Sequence, residues 1–227
     1  YVLGGQSIGN GTNTTKRAGV DMEYGVSSNT SLSMTINPDF GQVEADPSKL
    51  NLTAFETFYP EKRPFFVEGG SFFTPQWSET GDSWQKGSFM YQPIKVFHSR
   101  RIGKAPNYFM PADGNIISAS ENTTILGAAK VLGKTPSGIN YGFIESLTDN
   151  EIGVLESEDG SRSEFLLEPR TNYFIGRIEA PFINNASILG ATFTDVRRAK
   201  GDNASVGVFD WRLRFLENRF SFSGQVA

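Results

Sequence analysis

Strict alternation of large apolar and charged side chains is the feature that most constrains this chain. From residue 209 to residue 215, odd positions are apolar and even positions are charged. The apolar set is Phe209, Trp211, Leu213 and Phe215, and the charged set is Asp210, Arg212 and Arg214. Because successive side chains of a β-strand point to opposite faces, the run 204–216 predicts a strand with one apolar and one charged face.

The same alternation recurs along the chain and predicts hairpins. Residues 18–26 and 31–37 alternate on either side of a short polar turn, which predicts one β-hairpin. A second hairpin is predicted to join residues about 123–133 to residues 138–148. Further alternating runs lie at 172–176, 187–194 and 219–226.

The run at 172–176 is less regular than the others. Tyr173 and Ile175 alternate with Asn172 and Gly176, which predicts that Tyr173 and Ile175 form the apolar face. Phe174 and Ile178 fall on the other face and interrupt this pattern.

Composition agrees with a fold built from strands. The chain has 24 Gly, 19 Phe and 7 Tyr, and it lacks long Leu/Ala/Glu/Lys-rich stretches typical of amphipathic helices. We therefore predict an all-β fold: an antiparallel up-and-down meander that forms part of a transmembrane β-barrel with long loops. The absence of Cys excludes disulfides, thiolate zinc sites and thiol nucleophiles. A net charge of -4 gives no basic footprint for nucleic acid.

Two kinds of β-protein satisfy the alternation. A soluble β-sandwich alternates because each sheet packs one face on the core, whereas a barrel in a membrane alternates between lipid and a polar interior. The run 204–216 is longer than the ~5–6 residues of most soluble strands and matches the ~9–11 residues that cross a bilayer at a tilt. Aromatic residues also recur toward strand ends. These two features favour the barrel, with Phe209, Trp211, Leu213 and Phe215 facing lipid.

The domain organisation is predicted to be a single β-barrel segment over residues 1–227. The sequence opens at Tyr1 and stops inside an alternating run, so we expect it to be a fragment with closing strands elsewhere. Residues 37–122 include long loop regions that should pack on or in the barrel. The aromatic content of residues 37–70 in particular is more apolar surface than a free loop hides.

A group of charged residues between 39 and 101 is the candidate site. We expect an ion-pair network that braces loops at or inside the barrel mouth, because charges near a bilayer need partners. Its predicted members are Asp39, Glu44, Asp46, Glu61, Arg63, Glu68, Arg100 and Arg101. No catalytic residue, metal ligand or cofactor is predicted, and His98 is the single histidine.

Two alternative functions stay open at this point. Paired carboxylates suit glycosidase-like acid and base catalysis, so the carboxylates of residues 39–68 suggest a barrel-associated hydrolase. Exposed tryptophans stack on sugar rings, so Trp77 and Trp84 suggest a secreted β-sandwich that binds carbohydrate.

Three phrases carry a resemblance to a known family. They are NPDFGQVEADPSKLNLTAFETFYPEKRPFFVEG at 37–69, FHSRRIG at 97–103 and ILGAAKVLGKT at 125–135. Residues 15–227 resemble the N-terminal part of the barrel in an uncharacterised family of outer-membrane proteins of Gram-negative bacteria. The resemblance implies localisation in the bacterial outer membrane, lipid as the partner, and a scaffold, docking or passage role. It also implies a separate N-terminal domain similar to a carbohydrate-binding module, through which any carbohydrate would be bound.

Overall fold

The computed structural model describes residues 2–5, 17–38, 60–75, 94–106 and 115–227. These residues form twelve strands, one short α-helix (α1) and two 3₁₀ turns. The strands are β1 (Val2–Gly5), β2 (Arg17–Ser27), β3 (Thr30–Ile36), β4 (Asn115–Ser118), β5 (Ile125–Lys134), β6 (Asn140–Thr148), β7 (Glu151–Glu156), β8 (Arg162–Glu168), β9 (Thr171–Phe182), β10 (Asn184–Arg198), β11 (Ala204–Phe215) and β12 (Phe220–Val226). Helix α1 covers Pro64–Val67, and the 3₁₀ turns cover Gly70–Phe73 and Ser99–Arg101. None of the helices in these ranges has the length and apolar character needed to span a membrane.

The strands form two antiparallel sheets. The main sheet has nine strands in the order β1-β2-β3-β5-β6-β9-β10-β11-β12, and the second sheet has the order β4-β7-β8. The predicted all-β, antiparallel fold is therefore confirmed, and the main sheet follows chain order as an up-and-down meander does. Strands β1 and β12 are its two edges, so the described strands do not close into a barrel.

Both predicted hairpins are present. Strands β2 and β3 pair with Val20 opposite Ile36 and Tyr24 opposite Leu32. Strands β5 and β6 pair with Val131 opposite Phe143. Residues 28–29 and 135–139 connect the strands of the two hairpins.

The two faces of the main sheet differ in chemistry. One face, here called the outer face, carries large apolar side chains that are exposed in the isolated chain. They are Val20, Met22, Tyr24, Val26, Ile36, Phe143, Leu147, Ile178, Phe193, Phe209, Phe215, Phe220, Phe222 and Val226. The opposite, inner face carries buried polar residues, including Thr35, Lys130, Ser146, Arg177, Thr192 and Asp210.

The inner face is covered by part of the long connection between β3 and β5. Residues 60–75 and 94–106, here called the inserted segment, contribute Phe66, Phe73 and Ile102 to the hydrophobic core. The sheet contributes Ile125, Ile144 and Ile175 to the same cluster. The core therefore lies between the sheet and a segment of low regularity, not between two sheets.

Strand β9 shows why the alternation at 172–176 is irregular. Tyr173 and Ile175 share a face as predicted, and this face is the inner one, where Ile175 lies in the core with Tyr173 packed against it. Phe174 and Ile178 occupy the outer face, where Phe174 stacks on Phe143 and makes a tilted contact with Phe193. At residues 173–175, β9 therefore has apolar side chains on both faces, because the inserted segment brings its own aromatic side chains to the inner face.

The second sheet was not predicted from the sequence. Strands β7 and β8 form a hairpin within the connection between β6 and β9, and β4 adds to its edge. Thr148 pairs directly with Thr171, so the hairpin begins where the main sheet ends.

Gly142 marks a close approach of the inserted segment to the sheet. A Cβ atom at Gly142 would lie 2.7 Å from Cδ1 of Phe72 and 2.8 Å from Cδ2 of Leu132. By contrast, a Cβ atom at Gly207 in β11 would meet nothing within 4 Å.

This difference gives a matched pair of substitutions. Gly142→Ala should lower the free energy of unfolding by ~1–3 kcal/mol, because Phe72 or Leu132 must move out of a packed position. Gly207→Ala should leave it nearly unchanged. Urea unfolding of both variants measures the effect, and equal stability of the two would contradict the docked position of Phe72.

Candidate functional site

Three cationic side chains are buried in the part of the chain that the structure describes, one in the inserted segment and two on the inner face of the main sheet. They are Arg63 in the inserted segment, Lys130 in β5 and Arg177 in β9, which are 5%, 2% and 1% exposed. A buried cation is tolerated when hydrogen-bond acceptors surround it. The hydrogen-bond acceptors around each cation show which parts of the structure it connects.

Arg63 forms a two-point ion pair with Glu61. Arg63 Nε donates to Glu61 Oε1 at 2.8 Å, and Nη2 donates to Oε2 at 2.7 Å. The guanidinium also donates to the carbonyl oxygens of Ile102 at 2.6 Å and Ser99 at 2.7 Å. It lies 4.4 Å from the centre of the Phe66 ring. Arg63 therefore joins residues 60–75 to residues 94–106 and makes one unit of the inserted segment.

The carboxylate of Glu61 is fully engaged in the same contacts. Besides Arg63, it accepts hydrogen bonds from Ser99 Oγ at 2.6 Å and from the backbone N–H groups of Lys62 and Arg63 at 3.0 Å each. Burial alone would raise the pKa of Glu61, but the hydrogen bonds and charge of Arg63 and the hydroxyl of Ser99 outweigh it and lower the pKa to about 2. Such a carboxylate holds no proton near neutral pH, so it does not suit a general acid.

Lys130 connects the sheet to the inserted segment. Its Nζ donates to the carbonyl oxygens of Phe65 and Glu68, both at 2.6 Å. The same ammonium lies 4.9 Å from the centre of the Phe65 ring. The Phe65 carbonyl lies within helix α1, and the Glu68 carbonyl follows the last residue of this helix. At a helix C-terminus a positive charge also complements the unpaired carbonyl groups. Lys130 thus links strand β5 to helix α1.

Arg177 forms an ion-pair cluster across three strands of the main sheet. Nη1 donates to Asp210 Oδ1 at 2.6 Å and to Thr192 Oγ1 at 2.7 Å, and Nη2 donates to Asp210 Oδ2 at 3.0 Å. Glu179 accepts from Nη2 at 2.7 Å and from Nε at 3.3 Å. The cluster joins β9 and β11 over the intervening β10.

Gly190 makes room for this contact. It lies opposite Glu179 in β9 and opposite Asp210 in β11. A Cβ atom at Gly190 would lie 2.6 Å from Asp210 Oδ2 and 2.7 Å from Arg177 Nη2. A side chain here would separate the two charges, so glycine is required by the ion pair.

The predicted charge network is only partly brought together in the described residues. Glu61 and Arg63 form an ion pair, and Glu68 contributes its carbonyl oxygen to Lys130. Arg100 and Arg101 lie in the second 3₁₀ turn, and Arg101 is within electrostatic reach of Tyr173. The pairing of these two arginines with acidic groups stays a prediction. The remaining residues named from the sequence, Asp39, Glu44, Asp46, Trp77 and Trp84, lie outside the described residues.

Sequence reasoning missed Lys130 and the Arg177 cluster. Arg177 and Glu179 alternate with Phe174, Gly176 and Ile178 in β9, which is the signal that could have placed them on the inner face. Their partner Asp210 was predicted on the charged face of the run 204–216, but its partner could be found only from the register of three strands.

In the part of the chain that the structure describes, no three His, Cys, Asp or Glu side chains are grouped to hold a metal ion. Of the three buried cations, Lys130 holds the inserted segment against the sheet, Arg63 joins the two parts of the segment, and Arg177 joins strands of the sheet. The arrangement is an inner face with buried polar groups that the inserted segment covers.

The Arg177 cluster gives the first prediction for this site. Asp210→Ala leaves a buried guanidinium short of its main partner, and the loss should be about 3–5 kcal/mol of unfolding free energy. Asp195→Ala is the control: its partner Arg197 is exposed, and such pairs contribute ~0–1 kcal/mol. Chemical denaturation of both variants gives the comparison. Equal losses would mean that the Arg177 pair is not buried as described.

Glu61 gives a prediction for pH dependence. Its pKa in the folded chain lies below the ordinary value of 4.5, so the ionised pair stabilises the fold above about pH 4.5. That stabilisation is lost as the pH falls toward 2. Glu61→Gln should therefore be less stable than the parent at pH 7, by roughly 3 kcal/mol at most, and the two stabilities should converge on acidification.

Glu156→Gln serves as the control for this measurement, because the pair of Glu156 with Arg162 is exposed. Its stability should stay close to the parent at every pH. Thermal unfolding from pH 7 to pH 3 measures all three chains, and a constant gap for Glu61→Gln over this range would contradict the assigned ion pair.

Comparison with known proteins places the chain in a family. Neither the curated proteins nor the solved structures gave a significant match. A family model described as a domain of unknown function, DUF5916, matches residues 4–227. Since this match covers nearly the whole sequence, the chain belongs to the DUF5916 family.

Proposed function

We propose that the main sheet is a section of the wall of a β-barrel in the outer membrane of a Gram-negative bacterium. Lipid would cover the outer face, and the inserted segment would fill the polar interior. In this function the chain is a membrane-anchored scaffold or docking element, and passage of a solute would require the inserted segment to move. An N-terminal domain similar to a carbohydrate-binding module, if it accompanies the sheet as the sequence resemblance implies, would carry any carbohydrate recognition.

The inversion of the two faces is the observation that carries this proposal. In a soluble sheet, apolar side chains point to the core and charges point to water. Here Arg177, Asp210 and Lys130 are buried, whereas Phe193, Phe209 and others on the outer face are exposed. A bilayer reverses the usual rule, because the solvent at the outer face is hydrocarbon.

The apolar surface also crosses the outer face obliquely. One row of paired residues begins at Val20, passes Ile36 and Leu147 and ends at Asn172 and Arg197. A row nearer the other strand ends begins at Val226, passes Phe209 and Ile178 and reaches Thr30. The first row is apolar in β2 and polar in β10, whereas the second is apolar in β12 and polar in β3. An apolar band bounded in this way runs diagonally to the strands.

The slope of the band matches the tilt of strands in membrane barrels. From β2 to β12 the apolar positions shift by about six residues over about seven strand spacings, or roughly 20 Å along and 34 Å across the sheet. This corresponds to a tilt of about 30°, close to the ~35–45° of transmembrane barrels. For the apolar band to lie parallel to the membrane plane, the strands would have to be tilted. Closure of a sheet into a barrel requires tilted strands as well.

Aromatic side chains on the outer face also cover glycines of neighbouring strands. A Cβ atom at Gly133 would lie 2.3 Å from Tyr141 Cζ, and one at Gly224 would lie 2.5 Å from Trp211 Cζ2. Tyr141 in addition exchanges a hydrogen bond with Thr30 at 2.8 Å. At these positions the aromatic rings lie over backbone that the glycines would otherwise leave open, which suits a surface in contact with lipid.

Two isoleucines of β9 give a matched test. Ile178 is on the outer face and 46% exposed, whereas Ile175 is in the inner core and 1% exposed. In a bilayer or detergent, Ile175→Ala should cost about 2–5 kcal/mol because it leaves a cavity. Ile178→Ala should cost less, since fluid lipid fills the space.

Ile178→Arg separates the membrane function from a soluble one. In hydrocarbon the added charge should cost about 2–4 kcal/mol near the midplane and less near an interface. In a soluble carbohydrate-binding protein, Ile178 would be an exposed surface residue, and the same change should be harmless. The measurement is the unfolding free energy in lipid vesicles together with co-sedimentation of the parent chain with vesicles. A parent that stays monodisperse without detergent and tolerates Ile178→Arg would overturn the proposal.

A further inference from the structure

Connections of more than five residues between strands occur at only one end of the main sheet. At one end, here called the short-connection end, neighbouring strands are joined by residues 28–29, 135–139, 183 and 216–219. At the other, here called the long-connection end, they are joined by residues 6–16, 37–124, 149–170 and 199–203. Every connection of the sheet falls into one set or the other, because consecutive strands of the sheet are antiparallel.

The long-connection end also carries the second sheet. Strands β7 and β8 begin after Thr148 and end before Thr171, which pair at that end of β6 and β9. This hairpin is rich in exposed acidic side chains, among them Glu158, Asp159 and Glu164. Such a hydrophilic body cannot lie in hydrocarbon, so it must project from the membrane on one side.

The inserted segment enters the interior from the same end. Asn37 N–H donates to the carbonyl of Leu126 at 2.9 Å, and Thr123 N–H donates to the carbonyl of Lys104 at 3.0 Å. Both contacts lie where β3 ends and β5 begins. The segment that covers the inner face therefore folds inward from the long-connection end.

We propose that the long-connection end faces the outside of the cell and that the short-connection end faces the periplasm. Outer-membrane barrels have short periplasmic turns and longer extracellular loops, and the two sets of connections fit that asymmetry. This orientation depends on the proposed membrane function. In this orientation, a molecule in the medium first meets the second sheet and the place where the inserted segment enters at the long-connection end.

The absence of cysteine makes the orientation directly measurable. The chain contains 0 Cys, so a single introduced thiol is the only target for a maleimide within it. Glu158→Cys and Lys200→Cys place a thiol at exposed positions of the long-connection end. Asn29→Cys and Pro136→Cys place one at exposed positions of the short-connection end.

The experiment uses intact Gram-negative cells that make the full-length protein, in which any cysteine outside residues 1–227 is replaced by serine. The cells are labelled with a membrane-impermeant maleimide. We expect strong labelling of Glu158→Cys and Lys200→Cys and at least tenfold weaker labelling of Asn29→Cys and Pro136→Cys. All four variants should label equally after the outer membrane is disrupted with detergent, which controls for thiol reactivity and folding.

The outcomes separate failure of the orientation from failure of the membrane function. The reverse pattern, with only the short-connection variants labelled in intact cells, would overturn the orientation and leave the membrane function standing. Equal labelling of all four in intact cells, with the protein extracted from membranes by sodium carbonate, would overturn both. Labelling confined to the long-connection variants, in a protein that resists extraction, would support both.

Discussion

A buried cation must have acceptors, and much of this structure follows from meeting that requirement on the inner face of the main sheet. An isolated charge removed from water would be destabilising by several kcal/mol even after relaxation. Arg177 obtains its acceptors within the sheet, from Asp210, Glu179 and Thr192. Lys130 obtains them from the inserted segment. The contacts of Arg177 stabilise the register of three strands, and the contacts of Lys130 fix a long connection on the sheet.

The outer face has the opposite chemistry and a different requirement. Burial of a large apolar side chain contributes ~1.5–3 kcal/mol, and the exposed Phe, Ile, Val and Met side chains of this face make no such contribution in water. The sheet cannot supply this burial through its own core, because its inner face is already packed against the inserted segment. In the proposed function a bilayer supplies this burial, and the diagonal course of the apolar band is the observation that favours a bilayer over a flat protein partner.

The strands were predictable where one face is apolar and the other polar. The run 204–216 meets this condition, and β11 was found with nearly the same bounds, Ala204–Phe215. The condition fails in β9, where Tyr173 and Ile175 pack inward while Phe174 lies outward, so alternation could not tell the inner face from the outer face. It fails also in β7 and β8, which are short and belong to a separate small sheet.

Charge pairs were predictable only when their partners are close in sequence. Glu61 and Arg63 are two residues apart, and their pairing could be anticipated from the local cluster of charges. Arg177 and Asp210 are 33 residues apart in strands that are not neighbours. Their contact depends on Gly190 and on the register of β10 with both strands, which no local pattern encodes.

The two cations that contact the inserted segment have separable roles. Glu61, Ser99 and Ile102 accept hydrogen bonds from the Arg63 guanidinium and belong to the inserted segment, so these contacts hold the segment together. Lys130 belongs to the sheet and binds the segment from outside. Loss of Lys130 would therefore weaken docking while leaving the internal contacts of Arg63 intact. The attachment of the inserted segment to the main sheet therefore depends on Lys130 and the aromatic core, and it is separate from the Arg63 contacts that join the two parts of the segment.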